Sequence, residues 1–350
     1  MARGEQLGRQ WKIIQTLISS RMGKSASDLA QDLECHPRTL YRDLDVTITD
    51  VTLREYGQNV PAAYLHVFTP EIRSKIASGL IEAGFTNIEI LSCVHPKVAP
   101  AMDMTALRTV AGALGRVEGV NFITLVPNRT GYERFLDVNL GPDGFSHTMG
   151  VFFSAVEAHH IANIGKTLKE TIEAYKPIIK DAISRNIRVV GYISAAFGYI
   201  GSEKEELIKP NPQTLNEYMN LYFDLGVETV TLSDLQGVAD ETETSRIIEG
   251  ILDSRKGKNL EKLGYHPHHV DGEKAIANSK VVYDLGVRRF DSSMGGTGGC
   301  VTGAPGNQPT ERLVHFFNQL GLENGINETQ LFSLSEMVQK ELYSKIALPR

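Results

Sequence analysis

Cysteine is scarce: Cys35, Cys93 and Cys300 are the only three in 350 residues, and they lie far apart. They form no C-x-x-C zinc pair and no disulfide framework. A reducing, cytoplasmic compartment is the expectation. Long apolar runs are missing as well. No stretch approaches about 18 apolar residues, and the opening Met1-Ala2-Arg3-Gly4-Glu5 has no apolar core, so neither a membrane span nor a secretory signal is expected. Positive charge is not in excess. Lys and Arg number 36 against 42 Asp and Glu, and the net charge of −6 argues against nucleic acid bound across the whole surface. Nor does a G-x-G-x-x-G follow the first strand-like run, which disfavours an open dinucleotide-binding sheet.

What is present is alternation. From Val46 onward, short β-rich runs are separated by amphipathic stretches, and the spacing predicts strands at Val46–Thr52, Asn87–Leu91, Asn121–Val126, Thr148–Phe153, Ile187–Ile193, Glu228–Leu232, Lys262–His266 and Arg288–Asp291. Helices are predicted over Glu71–Ala83, Leu168–Arg185, Pro212–Leu225, Glu243–Leu252 and Glu273–Leu285. Glycine stops stand at Gly84, Gly226 and Gly286. Eight strands with long crossovers predict an α/β fold of the (β/α)8 TIM-barrel type over residues 46–325, with a doubly wound open sheet as the alternative. Residues 326–350 read as a C-terminal helical extension, a candidate subunit contact in a homo-oligomer.

The strand ends carry the chemistry. Arg54-Glu55 follows strand one, Glu89 and Ser92 end strand two, and Asn128 follows strand three. Glu157 follows strand four, Ser194 ends strand five and Asp234 ends strand six. His266-Pro267-His268 ends strand seven, and Cys300 and Asn307 follow strand eight. In a barrel all of them reach one mouth. Histidines at i and i+2 of an extended segment share a face about 6.5–7 Å apart along the strand, within reach of one divalent ion. Glu55 is the favoured carboxylate ligand, and Asn307 offers a neutral carbonyl oxygen. A mixed N/O set of this kind suits Mg²⁺ or Mn²⁺, with Co²⁺ or Zn²⁺ as alternatives. Arg54 would add a fixed positive charge at a developing oxyanion. Cys300, in the run Gly295-Gly296-Thr297-Gly298-Gly299-Cys300, would bring an acid/base thiol on a pliable loop. His269 and Asp271 suit roles in orienting the ligands. His159-His160 reads as a helical pair with no assigned role.

Residues 1–45 differ in character. Gln10–Ser19, a second helix from Ser25, and a third from Pro37 make a helix-turn-helix-like pattern that exposes Arg38, Thr39 and Arg42. The segment holds seven Lys/Arg and six Asp/Glu, a slight footprint for DNA. Its stretch His36–Leu44 resembles bacterial winged-helix regulators, which would make Arg38 and Arg42 DNA contacts. A DNA-binding regulator with a metabolite-sensing barrel is therefore one of the readings to test.

Longer motifs narrow the choice. Asp50-Val51-Thr52-Leu53-Arg54-Glu55, His95-Pro96-Lys97-Val98-Ala99-Pro100, Val126-Pro127-Asn128, Gly191-Tyr192-Ile193-Ser194, Ser233-Asp234-Leu235-Gln236-Gly237-Val238 and Asp291–Cys300 resemble the HMG-CoA-lyase-like family of metal-dependent carbon–carbon lyases and synthases, most closely its lyase branch. The resemblance implies metal ligation by Glu55, His266, His268 and Asn307, and carbonyl polarisation by Arg54. It also implies Cys300 as a loop-borne acid/base residue, with Asp234 and Glu89 lining the reacting centre, and an acyl-CoA thioester as substrate. Three departures stand out. Glutamate replaces the aspartate usual in the lyase branch and is familiar from homocitrate-synthase-like enzymes, which keeps a Claisen- or aldol-type synthase acting on a 2-oxo acid as an alternative. The segments Tyr56–Pro61 and Val301–Pro305 depart from the lyase pattern at the acyl-carrier end.

Overall fold

The computed structural model describes residues 12–13, 31–34, 46–139, 145, 148–201, 206–255, 259–268, 272–298, 306–322 and 324–346. Nearly all of the helix-turn-helix-like segment, with Arg38 and Arg42, lies outside the described residues, as do His269, Asp271, Cys300 and Val301–Pro305.

The chain runs β1 (Thr47–Asp50), α1 (Thr52–Asn59), α2 (Pro70–Glu82), β2 (Asn87–Ser92), α3 (Met104–Leu114), β3 (Asn121–Leu125) and α4 (Arg129–Asn139). It continues through β4 (Thr148–Ser154), α5 (Glu157–Ile164), α6 (Leu168–Ser184), β5 (Arg188–Ser194) and a two-stranded hairpin of β6 (Tyr199–Ile200) and β7 (Leu207–Ile208). Then come α7 (Pro212–Asp224), β8 (Thr229–Asp234), α8 (Glu241–Arg255), β9 (Leu263–Pro267), α9 (Gly272–Asp284), β10 (Arg289–Ser292), α10 (Thr310–Gln319) and α11 (Glu328–Glu341). Eight parallel strands close in the order β1-β10-β9-β8-β5-β4-β3-β2, so the fold is the expected barrel and not an open sheet. All eight expected strands are found, with ends shifted by one or two residues.

Local chemistry explains the helix starts. Thr69 accepts from the Ile72 amide ahead of Pro70, Asp103 from Ala106, and Asn211 from Gln213 ahead of Pro212. Thr167 and Glu170 form a reciprocal capping box. Helices α2, α7 and α9 stop where expected, the glycines following them holding φ of 102°, 91° and 100°. Leu331, Leu334, Val338 and Leu342 of the C-terminal stretch are buried in the same apolar core as the barrel, so this stretch packs on its own barrel. No helix among the described residues is long and apolar enough to cross a membrane.

One early expectation is corrected. The first strand, expected to run to Thr52, ends at Asp50. The Asp50 carboxylate turns back to accept from the Thr52 amide and hydroxyl, both at 3.0 Å, and from Thr310 Oγ1 at 3.1 Å. This ends the strand, and Arg54 and Glu55 lie in the first turns of α1.

Candidate active site at the barrel mouth

Register decides which side chains point inward. A Cβ on Gly191 would meet the Tyr222 ring of α7 at 2.9 Å, so Gly191 faces the helices. Alternation then turns Val190, Tyr192 and Ser194 into the barrel. Tyr192 pairs with Thr231, Thr231 with Gly264, and Ser233 with His266. His266 therefore points inward, as does Asp291 beyond Arg289, the residue paired with Gly264. Asp234, one residue on from Ser233, points the other way.

The two histidines converge. Their Nε2 atoms lie 3.2 Å apart, and both side chains are buried. His266 Nδ1 lies 3.1 Å from Asp291 Oδ2. Burial disfavours charge on His266, but Asp291, with help from Glu55, outweighs it and raises the imidazole above its ordinary range. An isolated antiparallel bridge joins His268 to Asn307, and the Gln308 amide donates to Pro267 O at 3.0 Å, bringing the segment after the glycine run against the histidines. Asn307 donates from Nδ2 to Thr297 O at 2.8 Å, while its fully buried Oδ1 has no hydrogen-bond partner among the described residues. Gly298 fits between two of these groups: a Cβ there would lie 2.6 Å from Glu55 Cβ and 2.6 Å from Asn307 Nδ2.

Arg54 organises the other half. Its Nε donates to Glu89 Oε2 at 2.7 Å, and Nη1 pairs with Glu55 Oε1 and reaches Gln58 Oε1 at 3.3 Å. Burial opposes its charge, and the two carboxylates overcome that opposition, so the guanidinium stays charged. Glu89 is fully buried within strand β2.

The donor set can be tested against a divalent cation. Two nitrogens about 2.1 Å from one ion and 3.2 Å from each other subtend roughly 100°, within the range of tetrahedral or octahedral ligation. The unpartnered Asn307 Oδ1 is a third neutral donor of a type that hard cations accept. Glu55 is engaged by Arg54, and among the described residues no group of three or more His, Cys, Asp or Glu converges on one point. The neutral donors fit; the acidic one is shared with arginine.

Other expected residues are placed as follows. Ser92 is buried at the end of β2, with no hydrogen-bond partner for its hydroxyl among the described residues. Ser194 ends β5, in register with Ser154. Asn128 is exposed, and its Oδ1 accepts from the Gly131 amide at 2.9 Å, capping α4. Asp234 departs from its expected place at the reacting centre. It faces the helices and accepts from the Val238 and Ala239 amides at 3.1 and 3.2 Å, holding the β8–α8 turn. Burial pushes its carboxyl up to about 6 against those hydrogen bonds. Glu157 also leaves the mouth, accepting from the Leu168 amide at the start of α6. His160 is held by the Ser154 amide and by Thr171, and His159 packs 4.9 Å from the Tyr199 ring.

Tyr192 and Asp291 were not singled out as functional residues from the sequence. Tyr192 faces the same interior, where burial and then Glu89 and Asp291 push its phenol upward. Strand alternation, counted from either neighbour, was the signal for both.

A closed parallel barrel with a charged, inward-pointing cluster at the C-terminal ends of its strands has the architecture of a barrel enzyme. Comparison with known proteins is specific about which kind. The chain belongs to the HMGL-like family, which matches residues 45–338. It is 30% identical over 299 residues to hydroxymethylglutaryl-CoA lyase YngG of Bacillus subtilis (strain 168), covering 85% of this chain and 93% of that protein. It is 30% identical to the mitochondrial hydroxymethylglutaryl-CoA lyase of Pongo abelii, covering 86% of each. The crystal structure of hydroxymethylglutaryl-CoA lyase from Pseudomonas aeruginosa superposes with a TM-score of 0.74 at 27% identity, covering 85% of this chain and 93% of that one.

Proposed function

We propose that the chain is a divalent-metal-dependent carbon–carbon lyase that cleaves 3-hydroxy-3-methylglutaryl-CoA, or a close β-hydroxy-β-methyl acyl thioester, to acetyl-CoA and a β-keto acid. The observation that carries it is the convergence of the His266 and His268 Nε2 atoms near Asn307, whose Oδ1 has no hydrogen-bond partner among the described residues, with the Arg54–Glu89 pair at the same mouth. The named relatives are lyases, which favours cleavage over the synthase direction.

His266, His268 and Asn307 would hold the ion, with Glu55 as its carboxylate and Mg²⁺ or Mn²⁺ as the suited metals. When bound, a cation of this kind polarises substrate oxygens and stabilises negative charge developing on them. The protein's own groups do the rest. Arg54, fixed in place by Glu89, donates to the thioester carbonyl oxygen as it takes on enolate character. A base takes the proton of the tertiary hydroxyl. The Cα–Cβ bond breaks, its electron pair passes into the thioester enolate, and the former carbinol carbon becomes the ketone of the β-keto acid. Protonation of the enolate carbon gives acetyl-CoA, and Cys300 is the proposed donor. Ser92 and Ser194, at strand ends on the mouth, are proposed to hydrogen-bond the substrate.

The test is to incubate purified protein with Mg²⁺ or Mn²⁺ and a panel of hydroxyacyl-CoA thioesters and oxo acids, following products by mass spectrometry. Equal amounts of acetyl-CoA and acetoacetate from the hydroxymethylglutaryl thioester support the reading. Turnover only of acetyl-CoA with a 2-oxo acid overturns it.

A further inference from the structure

The C-terminal turn reaches back to the barrel mouth through one residue. Tyr343 lies beyond residue 338, where the family match ends. Its ring stacks on Tyr56, the residue after Glu55, with centroids 5.2 Å apart and planes inclined by 29°. Its hydroxyl donates to Met294 O at 2.7 Å, at the root of the glycine run. The ring also lies over Gly295, where a Cβ would come within 2.9 Å of Tyr343 Cε2. Gly295 has φ of 62°, a conformation glycine adopts without strain, so close approach and backbone shape require the same residue there.

The same root is held from two other directions. The Met294 amide donates to Thr52 Oγ1 at 2.8 Å, and the Gly295 amide to the two oxygens of Glu311 at 3.1 and 3.0 Å. Ser335 of α11 donates to Glu311. Three residues past Gly295, Gly298 lies between Glu55 and Asn307. Tyr343 thus touches both walls of the site, the helix that carries Arg54 and Glu55 and the stem that sets Gly298 and Asn307.

We infer that Tyr343 is a positioning residue that fixes the register between helix α1 and the glycine-run stem, and through it the spacing of Glu55 from Asn307. The inference deepens the proposed function but does not need it to be judged. A packing residue alone would be replaced without loss by phenylalanine, which keeps the ring and removes only the hydroxyl, with its bond to Met294 O and its contact with Thr297. A positioning residue would not.

The experiment compares the full-length wild type with Tyr343→Phe by hydrogen–deuterium exchange, using peptides over 52–58 and 293–298, with peptides from β4 and β5 as reference. The expected result is exchange roughly five- to tenfold faster in 293–298, the effect of losing a part-buried hydroxyl's hydrogen bonding, with β4 and β5 unchanged. On the hydroxymethylglutaryl thioester kcat should fall several-fold, with KM within about twofold. Exchange identical to wild type overturns the inference, and so does faster exchange with an unchanged kcat. If the wild type itself does not turn over the thioester, the proposed function fails separately, and the exchange of the two site peptides alone decides the register claim.

Discussion

Asp291 fixes the hydrogen-bonding state of His266. Its Oδ2 lies 3.1 Å from Nδ1, inside the barrel and out of water, so Nδ1 carries the proton and Nε2 presents its lone pair toward His268. A carboxylate behind a histidine orients the ring and raises its basicity as a ligand. Asp291→Asn is expected to weaken Mn²⁺ binding by about 10- to 100-fold while leaving the fold intact. Isothermal titration with Mn²⁺ measures it, and an unchanged affinity would remove Asp291 from the site.

Arg54 is expected to act on charge that develops during the reaction. Arg54→Gln should lower kcat by about 10²–10³ with a much smaller change in KM, as for loss of a group that meets the oxyanion. Arg54→Lys should recover little, because one ammonium cannot span Glu55, Glu89 and Gln58 as the fork does. Steady-state kinetics that showed mainly a raised KM would make Arg54 a substrate-binding residue instead.

Cys300 lies outside the described residues, and its role rests on its place in the glycine run. Cys300→Ser should reduce kcat far more than it alters KM, since a serine hydroxyl is a much weaker acid than a thiol. Cys93, the cysteine among the described residues, does not compete for the role: burial pushes its thiol up to about 12. An unaltered turnover number would leave Cys300 a small packing residue.

Acid stability should bear the mark of His159. Burial, and then the neighbouring His160, push its imidazole down to about 4 from 6.5. A folded-state pKa below the unfolded one means stability that is full above pH 6.5 and is lost as pH falls toward 4, because the unfolded chain takes up the proton first. The loss is about 2–3 kcal/mol. Urea unfolding of wild type and His159→Phe at pH 7 and pH 4.5 checks it: the wild type should lose more stability between the two. Equal losses would show that His159 is not the group responsible.

The barrel was legible in the sequence because buried parallel strands leave dense apolar runs and the helices between them end in glycine, as at Gly84, Gly226 and Gly286. The paired histidines were legible because the period of a strand is two. Facing was harder to read than position. Asp234 and Glu157 stand at strand ends and looked like mouth residues, yet one caps a turn on the helix side and the other caps α6. Acidic residues near helix starts serve backbone amides as readily as substrates, and only register separates the two uses. That Arg54 and Glu55 stand in a helix was not legible, because nothing in Asp50-Val51-Thr52 announces that the Asp50 carboxylate will fold back on Thr52. Tyr343 was invisible for a simpler reason: its partners, Tyr56 and Met294, are far from it in sequence, and nothing local marks the contact.

The central claim is that His266 and His268 share one divalent cation that the reaction needs. The most direct measurement is Mn²⁺ binding by electron paramagnetic resonance, made in parallel with turnover of the hydroxymethylglutaryl thioester, on wild type and His266→Ala. The account predicts one tight Mn²⁺ per chain in the wild type, with binding and turnover lost together in the variant. Full turnover by metal-stripped His266→Ala, or tight Mn²⁺ binding that survives the substitution, would contradict it.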